Sequence, residues 1–487
     1  MRTQHYINGL WCDSADGRRL AVVNPFDESL LAEVALGSAA EVDAAVRAAA
    51  AAQPAWARLG GAARAQALRR IAQGVGAAEE DLALLQSRNN GKPLAEARMD
   101  VADVVACFVY YAELTEAAEL AGDVPVSLPD TNFVARVRRE AIGVVGLIVP
   151  WNFPMVTCAW KVAPALAAGN AVVLKPSEVT PLPELALAQI IHQAGLPAGV
   201  FNVVVGDGVG VGAPLVAHAL VRKVSFTGSN AVGTRIMQSA AEGIKGVSLE
   251  LGGKSAIVVF DDADLDEATD LVFGGAFMNA GQMCSATSRV LLQQGIAAAL
   301  TQRLVARARA LRIGDPLQEG AEATEMGPLA SRAQLQRVME YLQVAQDEGL
   351  THLCGGERVG TQGFFVRPAI FADVLRSSRL WREEIFGPVA CLCTFSDEDE
   401  AIAMANDSDY GLVATVVTRD AKRAARVANA IEAGLVWIDM PQIVFPQAAW
   451  GGMKRSSLGR ELGPWGLSAF QQIKHIVQPL ALAGEQA

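Results

Sequence analysis

"GVVGLIVPWNFP", residues 143–154, decides the fold. Gly143 to Val149 carry no charge, are rich in valine and stop at Pro150, which fits a short strand buried on both faces. Just past that strand, Pro150 and Pro154 flank Asn152. Proline fixes its own φ, so the flanks set the direction of the Asn152 amide, as an oxyanion donor requires; a turn-capping Asn is the plain structural alternative.

Similar runs recur downstream: "NAVVLKP" (170–176), "FNVVVGD" (201–207), "KVSFTG" (223–228) and "SAIVVFD" (255–261). Helical patterns separate them, so they read as βαβ units of a doubly wound α/β sheet. Upstream, residues 40–115 are Ala-rich with helical apolar spacing. A second α/β stretch follows Leu271, with "GFFVRPAIFADV", "CLCTFS", "LVATVVTRD" and "GLVWID" as strands and 293–313 and 331–349 as helices. Two lobes are expected, divided near residue 253.

The chain has 487 residues and is 51% hydrophobic, enough for sizeable cores. A formal net charge of -11 argues against nucleic acid or anionic lipid as partner. The uncharged stretch from Ala141 to Trp160 is broken by Pro150, Asn152 and Pro154, so no membrane span is expected. Cys12, Cys107, Cys158, Cys284, Cys354, Cys391 and Cys393 form no CxxC pair. This points to a reducing, cytoplasmic setting and to no metal site. None of the five histidines neighbours a Ser or Cys that looks catalytic, so a nucleophilic thiol would need a different base.

Two glycine turns are phosphate candidates. "GDGVGVG" (206–212) fits no GxGxxG pattern; "VSFTGSNAVG" (224–233) reads as strand, Gly228-Ser229 and helix, without a Walker lysine. In "VVLKPSEVTPL" (172–182), Glu178 can accept from both ribose hydroxyls and would repel a 2'-phosphate, which favours NAD; an exposed Lys175–Glu178 pair is the alternative. "LELGGK" (249–254) ends a strand on Glu250, a general base or a strand-end charge. "NAGQMCSATSR" (279–289) sets Cys284 among glycine and small polar residues that can support a thiolate.

Read in order, "PWNFP", "KPSE", "FTGS", "LELGGK", "GQMCSA" and "EEIFGP" resemble the aldehyde dehydrogenase superfamily, from "YINGLW" to "GGMKRSSLGRELG". "DVADVVACFVYYAEL" and "FPQAAWGGMKRS" resemble its betaine aldehyde and aminoaldehyde branch. The resemblance implies a Rossmann-type NAD-binding domain (1–118 and 142–253) and an α/β catalytic domain (254–455). It also implies a β-hairpin oligomerisation arm with a C-terminal strand (119–141 and 456–487), and a homodimer or homotetramer.

The same resemblance implies that Cys284 attacks the aldehyde, that Asn152 holds the oxyanion, and that Glu250 activates the water which opens the thioester. Lys161 matches a proton-relay lysine. Cofactor contacts map to Trp151, Asn152, Lys175, Ser177, Glu178, Gly208, Phe226, Gly228, Ser229, Val232, Leu251, Glu384 and Phe386. Substrate contacts map to Asp100, Asp103, Phe153, Trp160, Met278, Leu435 and Trp450.

Several positions depart from that branch. Met278 stands where a cage tryptophan is common, and Leu435 is bulky where a small residue admits a trimethylammonium head. Asp100 and Asp103 lie on one helix face and can attract an amino group or simply be solvated. Asn89 replaces an Asp near a monovalent-cation position, leaving potassium dependence open. Pro464 is expected to replace the relay glutamate that pairs with Lys161. The competing readings are a CoA-acylating semialdehyde dehydrogenase, which Glu250 disfavours, a catalytically silent crystallin-like or binding relative, and a cysteine hydrolase, which lacks its histidine.

Overall fold

The structure, a computed structural model, describes residues 2–483. Two antiparallel pairs open the chain, β1 (His5–Ile7) with β2 (Leu10–Cys12) and β3 (Arg19–Val23) with β4 (Leu30–Ala35). Four helices follow: α1 (Ala39–Arg58), α2 (Gly61–Ala77), α3 (Glu79–Asn90) and α4 (Leu94–Ala121). Ser38 and Glu41 start α1 with a reciprocal capping box, and Gly91 ends α3 in the left-handed region at φ 93°. β5 (Val124–Val126) and β6 (Phe133–Ala141) then form a hairpin.

The alternation read from the sequence comes next: β7 (Val144–Ile148), α5 (Pro154–Ala167), β8 (Ala171–Lys175), α6 (Pro181–Gln193), β9 (Phe201–Val203), α7 (Ala213–Ala217), β10 (Val221–Thr227), α8 (Asn230–Glu242) and β11 (Gly246–Glu250). β12 (Ala256–Val259), α9 (Leu265–Phe277), β13 (Arg289–Gln293), α10 (Gln294–Ala310) and α11 (Arg332–Asp347) begin the second lobe. It continues through β14 (Thr351–Cys354), β15 (Ala369–Ala372), β16 (Val389–Phe395), β17 (Tyr410–Gly411), β18 (Val413–Val417) and β19 (Leu435–Ile438). The chain closes with β20 (Met453–Lys454), β21 (Ser457–Leu458) and β22 (Gln471–Pro479).

The first sheet has the order β2-β1-β9-β8-β7-β10-β11-β21, parallel from β9 to β11. Sequence order reverses between β7 and β10, so a crevice opens beyond their carboxyl ends, where such sheets take ligands. Asn152 follows β7 and Gly228 follows β10 at that crevice. The second sheet has the order β14-β15-β16-β13-β12-β18-β19, and only β14 runs antiparallel to its neighbour. Each sheet is buried among helices, which explains the uninterrupted apolar strands.

β22 pairs with β6 over nine residues, Gln471 with Ala141 through Pro479 with Phe133, and β5 extends the ribbon. Val124, Phe133, Ile473 and Val477 on it are exposed. "GFFVRPAIFADV" is a strand only over Ala369–Ala372, because Pro368 lacks the N–H a ladder needs. Among the described residues no helix is long and apolar enough to cross a membrane.

Candidate active site

A cavity of about 480 Å³ opens at the strand-order reversal and reaches into the second lobe. Trp151, Asn152, Gly228, Ser229, Leu251, Glu384 and Phe386 line one end, and Asp103, Phe153, Trp160, Met278 and Trp450 the other, with Cys284 between them. No histidine lines it. Cys284 ends a taut loop: Asn279, Ala280 and Gly281 all have positive φ (49°, 55° and 71°). Two consecutive non-glycine residues in that region are costly, so the surroundings must hold them. Glu96 does so by accepting from Asn279 N at 3.1 Å, and buried Gln282 ties the loop to Ala330 N at 2.9 Å. Gly281 must be glycine, because a Cβ there would overlap the Gly387 carbonyl.

Asn152 Nδ2 donates to Gln282 O at 2.9 Å. An amide nitrogen carries two hydrogens, so one anchors the side chain and one remains for the cavity. Burial pushes the Cys284 thiol well above its ordinary range, and the charges of Glu250 and Glu384 push it further. Glu250 accepts from Ser457 Oγ at 2.8 Å, and its Oε1 is buried without a partner. Burial, then the Glu461 charge, raises Glu250 to about 8. The arrangement is a protonated thiol beside a carboxylate with the proton affinity to take its proton or that of water.

Lys161 forms a fully buried ion pair with Glu461. This corrects the expectation that Pro464 had removed the relay glutamate: the partner is Glu461, three residues earlier in "RELGP", and Pro464 sits in the first turn of the short helix Gly463–Ser468. Lys161 does not line the cavity.

At the other end, α8 begins on Ser229, whose Oγ accepts from Val232 N at 3.4 Å. This helix N-terminus directs free N–H groups and a positive dipole end toward the turn, and a Cβ on Gly228 would overlap the Phe226 ring. Glu384 accepts from Gly253 N at 3.1 Å and is raised to about 7 by burial. Phe386, held at φ 62°, meets Trp151 edge-to-face at 5.3 Å. Lys175 Nζ stands 3.2 Å from Glu178 Oε2, and Gly212 of the "GDGVGVG" turn passes beside the Lys175 stem. A glycine turn, a free helix start and a carboxylate-lysine pair after β8 suit a dinucleotide. Lys175, Ser177, Glu178, Gly208, Phe226 and Val232 lie outside the cavity itself, around the β8 and β10 ends.

Three substrate expectations change. Leu435 does not line the cavity; it packs against the core cluster that includes Trp437 and Trp450. Asp100 lines it, but its carboxylate is occupied by Lys92 and by Gln86, leaving Asp103 as the free acid of the pair. Burial first, then the Asp100 charge, lifts Asp103 to about 7. Phe153, Trp160 and Trp450 do gather, with Trp160 and Trp450 5.3 Å apart, and Lys92 Nζ sits 3.9 Å from the Phe153 ring centre. The sequence reading missed Lys92, Glu96, Ser457 and Glu461, and also Met440 to Val444, which line the cavity from a loop. A lysine set between "NNG" and proline was the one visible signal for Lys92.

The family model described as "Aldehyde dehydrogenase family" matches residues 11–476. A pea protein named aminoaldehyde dehydrogenase 2, peroxisomal, is 47% identical over 482 residues, covering 98% of this chain and 95% of its own. Betaine aldehyde dehydrogenase 1 of rice is also 47% identical, over 97% of this chain and 94% of its own. A solved betaine aldehyde dehydrogenase from Staphylococcus aureus in complex with NAD+ superposes with a TM-score of 0.95 at 37% identity, covering 98% of this chain and 95% of that one.

Proposed function

The chain belongs to the aldehyde dehydrogenase family, and on that footing we propose that its cavity oxidises an aldehyde to a carboxylic acid with NAD, through Cys284. The observation that carries this reading is the meeting of Cys284 and Asn152 in one cavity that continues into a dinucleotide cleft, with the buried Glu250 close enough for its charge to act on the thiol.

Glu250, with its high proton affinity, draws the proton from the Cys284 thiol, and the sulfur attacks the aldehyde carbon. The second Nδ2 hydrogen of Asn152 and the Cys284 backbone N–H stabilise the oxyanion. Bound NAD supplies the two-electron oxidant. Once it has given up the thiol proton, Glu250 deprotonates a water, which opens the thioester and releases the acid. Lys161 and Glu461 are buried near Glu250 and tune it: the Glu461 charge raises Glu250 and the Lys161 charge lowers it. Lys175 and Glu178 hold the adenosine ribose, and Glu384 with Phe386 the nicotinamide end.

For the aldehyde, the aromatic walls of Phe153, Trp160 and Trp450 and the free carboxylate of Asp103 support an ω-aminoaldehyde. Met99, Met278, Met283 and Met440 on the same cavity favour a neutral apolar aldehyde as the second reading, since thioethers adapt to varied apolar shapes. The paired strands β6 and β22, with their exposed apolar residues, support a homodimer or homotetramer. Seven free cysteines suit a reducing compartment such as the cytoplasm. Initial rates for ω-aminoaldehydes, betaine aldehyde and neutral aldehydes, each with NAD and NADP, test the reading. Absence of NADH formation across that panel would overturn it.

A further inference from the structure

One face of β10 and β11 is polar although it is buried. Side chains alternate along a strand. Val224 and Phe226 of β10 and Leu249 of β11 join the apolar layer on one side. Lys223, Ser225, Thr227, Ser248 and Glu250 therefore take the other side, and all five are less than a tenth exposed. The parallel register sets Ser225 beside Ser248 and Thr227 beside Glu250. Lys223 Nζ donates to Ser248 Oγ at 2.6 Å and stands 5.5 Å from the Phe470 ring centre. Lys161 and Glu461 influence both ends of the row, because their charges act on Glu250 and on Lys223 alike.

Burying such a row costs desolvation energy that apolar strands would avoid. Two of its oxygens, Thr227 Oγ1 and Glu250 Oε1, and the neighbouring Glu461 Oε2 are buried without a hydrogen-bond partner, and groups of this kind are bridged by water. The row starts at Glu250, near the cavity, and ends at Lys223, whose stem adjoins the exposed Gly246. Oxidation of an aldehyde and water by NAD+ yields a carboxylate, NADH and two protons, so each turnover must discharge protons that pass through the buried Glu250.

We propose that the buried polar row on β10 and β11 is the proton exit of thioester hydrolysis and that Lys223 is its terminal acceptor, a role that rests on the aldehyde-oxidising reading above. Glu250 takes a proton from water as the water oxygen bonds to the acyl carbon; the carbon–sulfur bond breaks and its electron pair returns to Cys284. The proton on Glu250 passes by way of the Thr227 hydroxyl and bridging water to Glu461, and through Ser248 to the neutral Lys223 amine. The resulting ammonium releases it to solvent beside Gly246. Burial, chiefly, and the positive charge of Lys161 on α5 lower Lys223 to about 8 against the opposing charge of Glu461, so near that pH a neutral amine is available as an acceptor. Ser248 and Phe470 are its remaining close neighbours.

The test uses the full-length enzyme with NAD and an aldehyde it oxidises, following NADH absorbance and a pH indicator together by stopped flow. Lys223→Met should keep both KM values within about twofold and preserve the first-turnover NADH burst. Its kcat should fall roughly tenfold, and protons should appear after NADH instead of in step with it. Lys223→Arg, charged but unable to act as acceptor, should show the same defect. Rescue by arginine, an unchanged kcat in the methionine variant, or equal loss of burst and steady state would each overturn the proposal. Should Lys223→Met not fold, Ser248→Ala must show the proton lag, and a normal Ser248→Ala then counts against it. An absence of NADH from the unaltered enzyme would instead overturn the functional reading itself.

Discussion

Lys161 and Glu461, 300 residues apart in sequence, form a buried ion pair beneath the cavity that holds Cys284. Removing one partner leaves the other charge buried and unpaired, which typically costs about 3–5 kcal/mol. Lys161→Met and Glu461→Gln should each lower the urea midpoint strongly, while the double variant Lys161→Met/Glu461→Leu should recover most of the loss. Equal destabilisation in all three would show that the pair is not coupled.

Cys284→Ala should abolish NADH formation while nucleotide binding, followed by thermal shift with NAD, remains. The substitution removes the sulfur but leaves the β10 turn, α8 and Glu384 intact. Sustained turnover in the variant would remove Cys284 from the mechanism.

Glu250 is raised to about 8, first by burial and then by Glu461. It acts as a base only when ionised, so deacylation should climb as pH rises through about 8 and level off above it. Glu250→Gln should keep a single burst of NADH and slow the steady state by about 100-fold or more. A pH profile flat between 6 and 9 would place the base elsewhere.

Glu178 and Lys175 bear on cofactor choice together. Lys175 Nζ lies 3.2 Å from the Glu178 carboxylate, so removing the carboxylate frees an ammonium at the place a 2'-phosphate would occupy. Glu178→Ala should raise kcat/KM with NADP relative to NAD by about tenfold, and no gain would dissociate Glu178 from the ribose.

The first sheet was legible because β7, β8 and β10 are short valine-rich runs closed by proline or glycine, a pattern that a parallel sheet covered by helices imposes directly. Cys284, Asn152 and Glu250 were legible for a related reason: Asn152 follows β7, Glu250 ends β11 and Cys284 lies in the glycine-rich turn before β13, where sequence and position are tightly coupled. Glu461 was not, because its role depends on a contact 300 residues away, and the nearby Pro464 drew the reading to the wrong position. Lys92 was hidden similarly, since nothing local to "NNGKP" shows that its ammonium reaches Asp100 and the Phe153 ring. Leu435 misled in the opposite sense. Its match to a substrate position of the betaine and aminoaldehyde branch implied a cavity wall, but it packs instead against the apolar cluster that includes Trp450.

Asp103 offers the sharpest test of the substrate class. Asp100 is neutralised by Lys92, so Asp103 is the acid of that pair left to meet a cationic tail. Burial, chiefly, places Asp103 at about 7, so its charge is present above that pH and lost below it. The KM for an ω-aminoaldehyde should therefore fall as pH rises through about 7. Asp103→Asn should raise that KM about two- to fivefold at pH 8, the range of a partly exposed ion pair, and change little at pH 6. The KM of a neutral aldehyde of the same length should not respond to the substitution at either pH. If both aldehydes shift together, Asp103 shapes the entrance without recognising charge, and the methionine-lined walls then favour an apolar substrate.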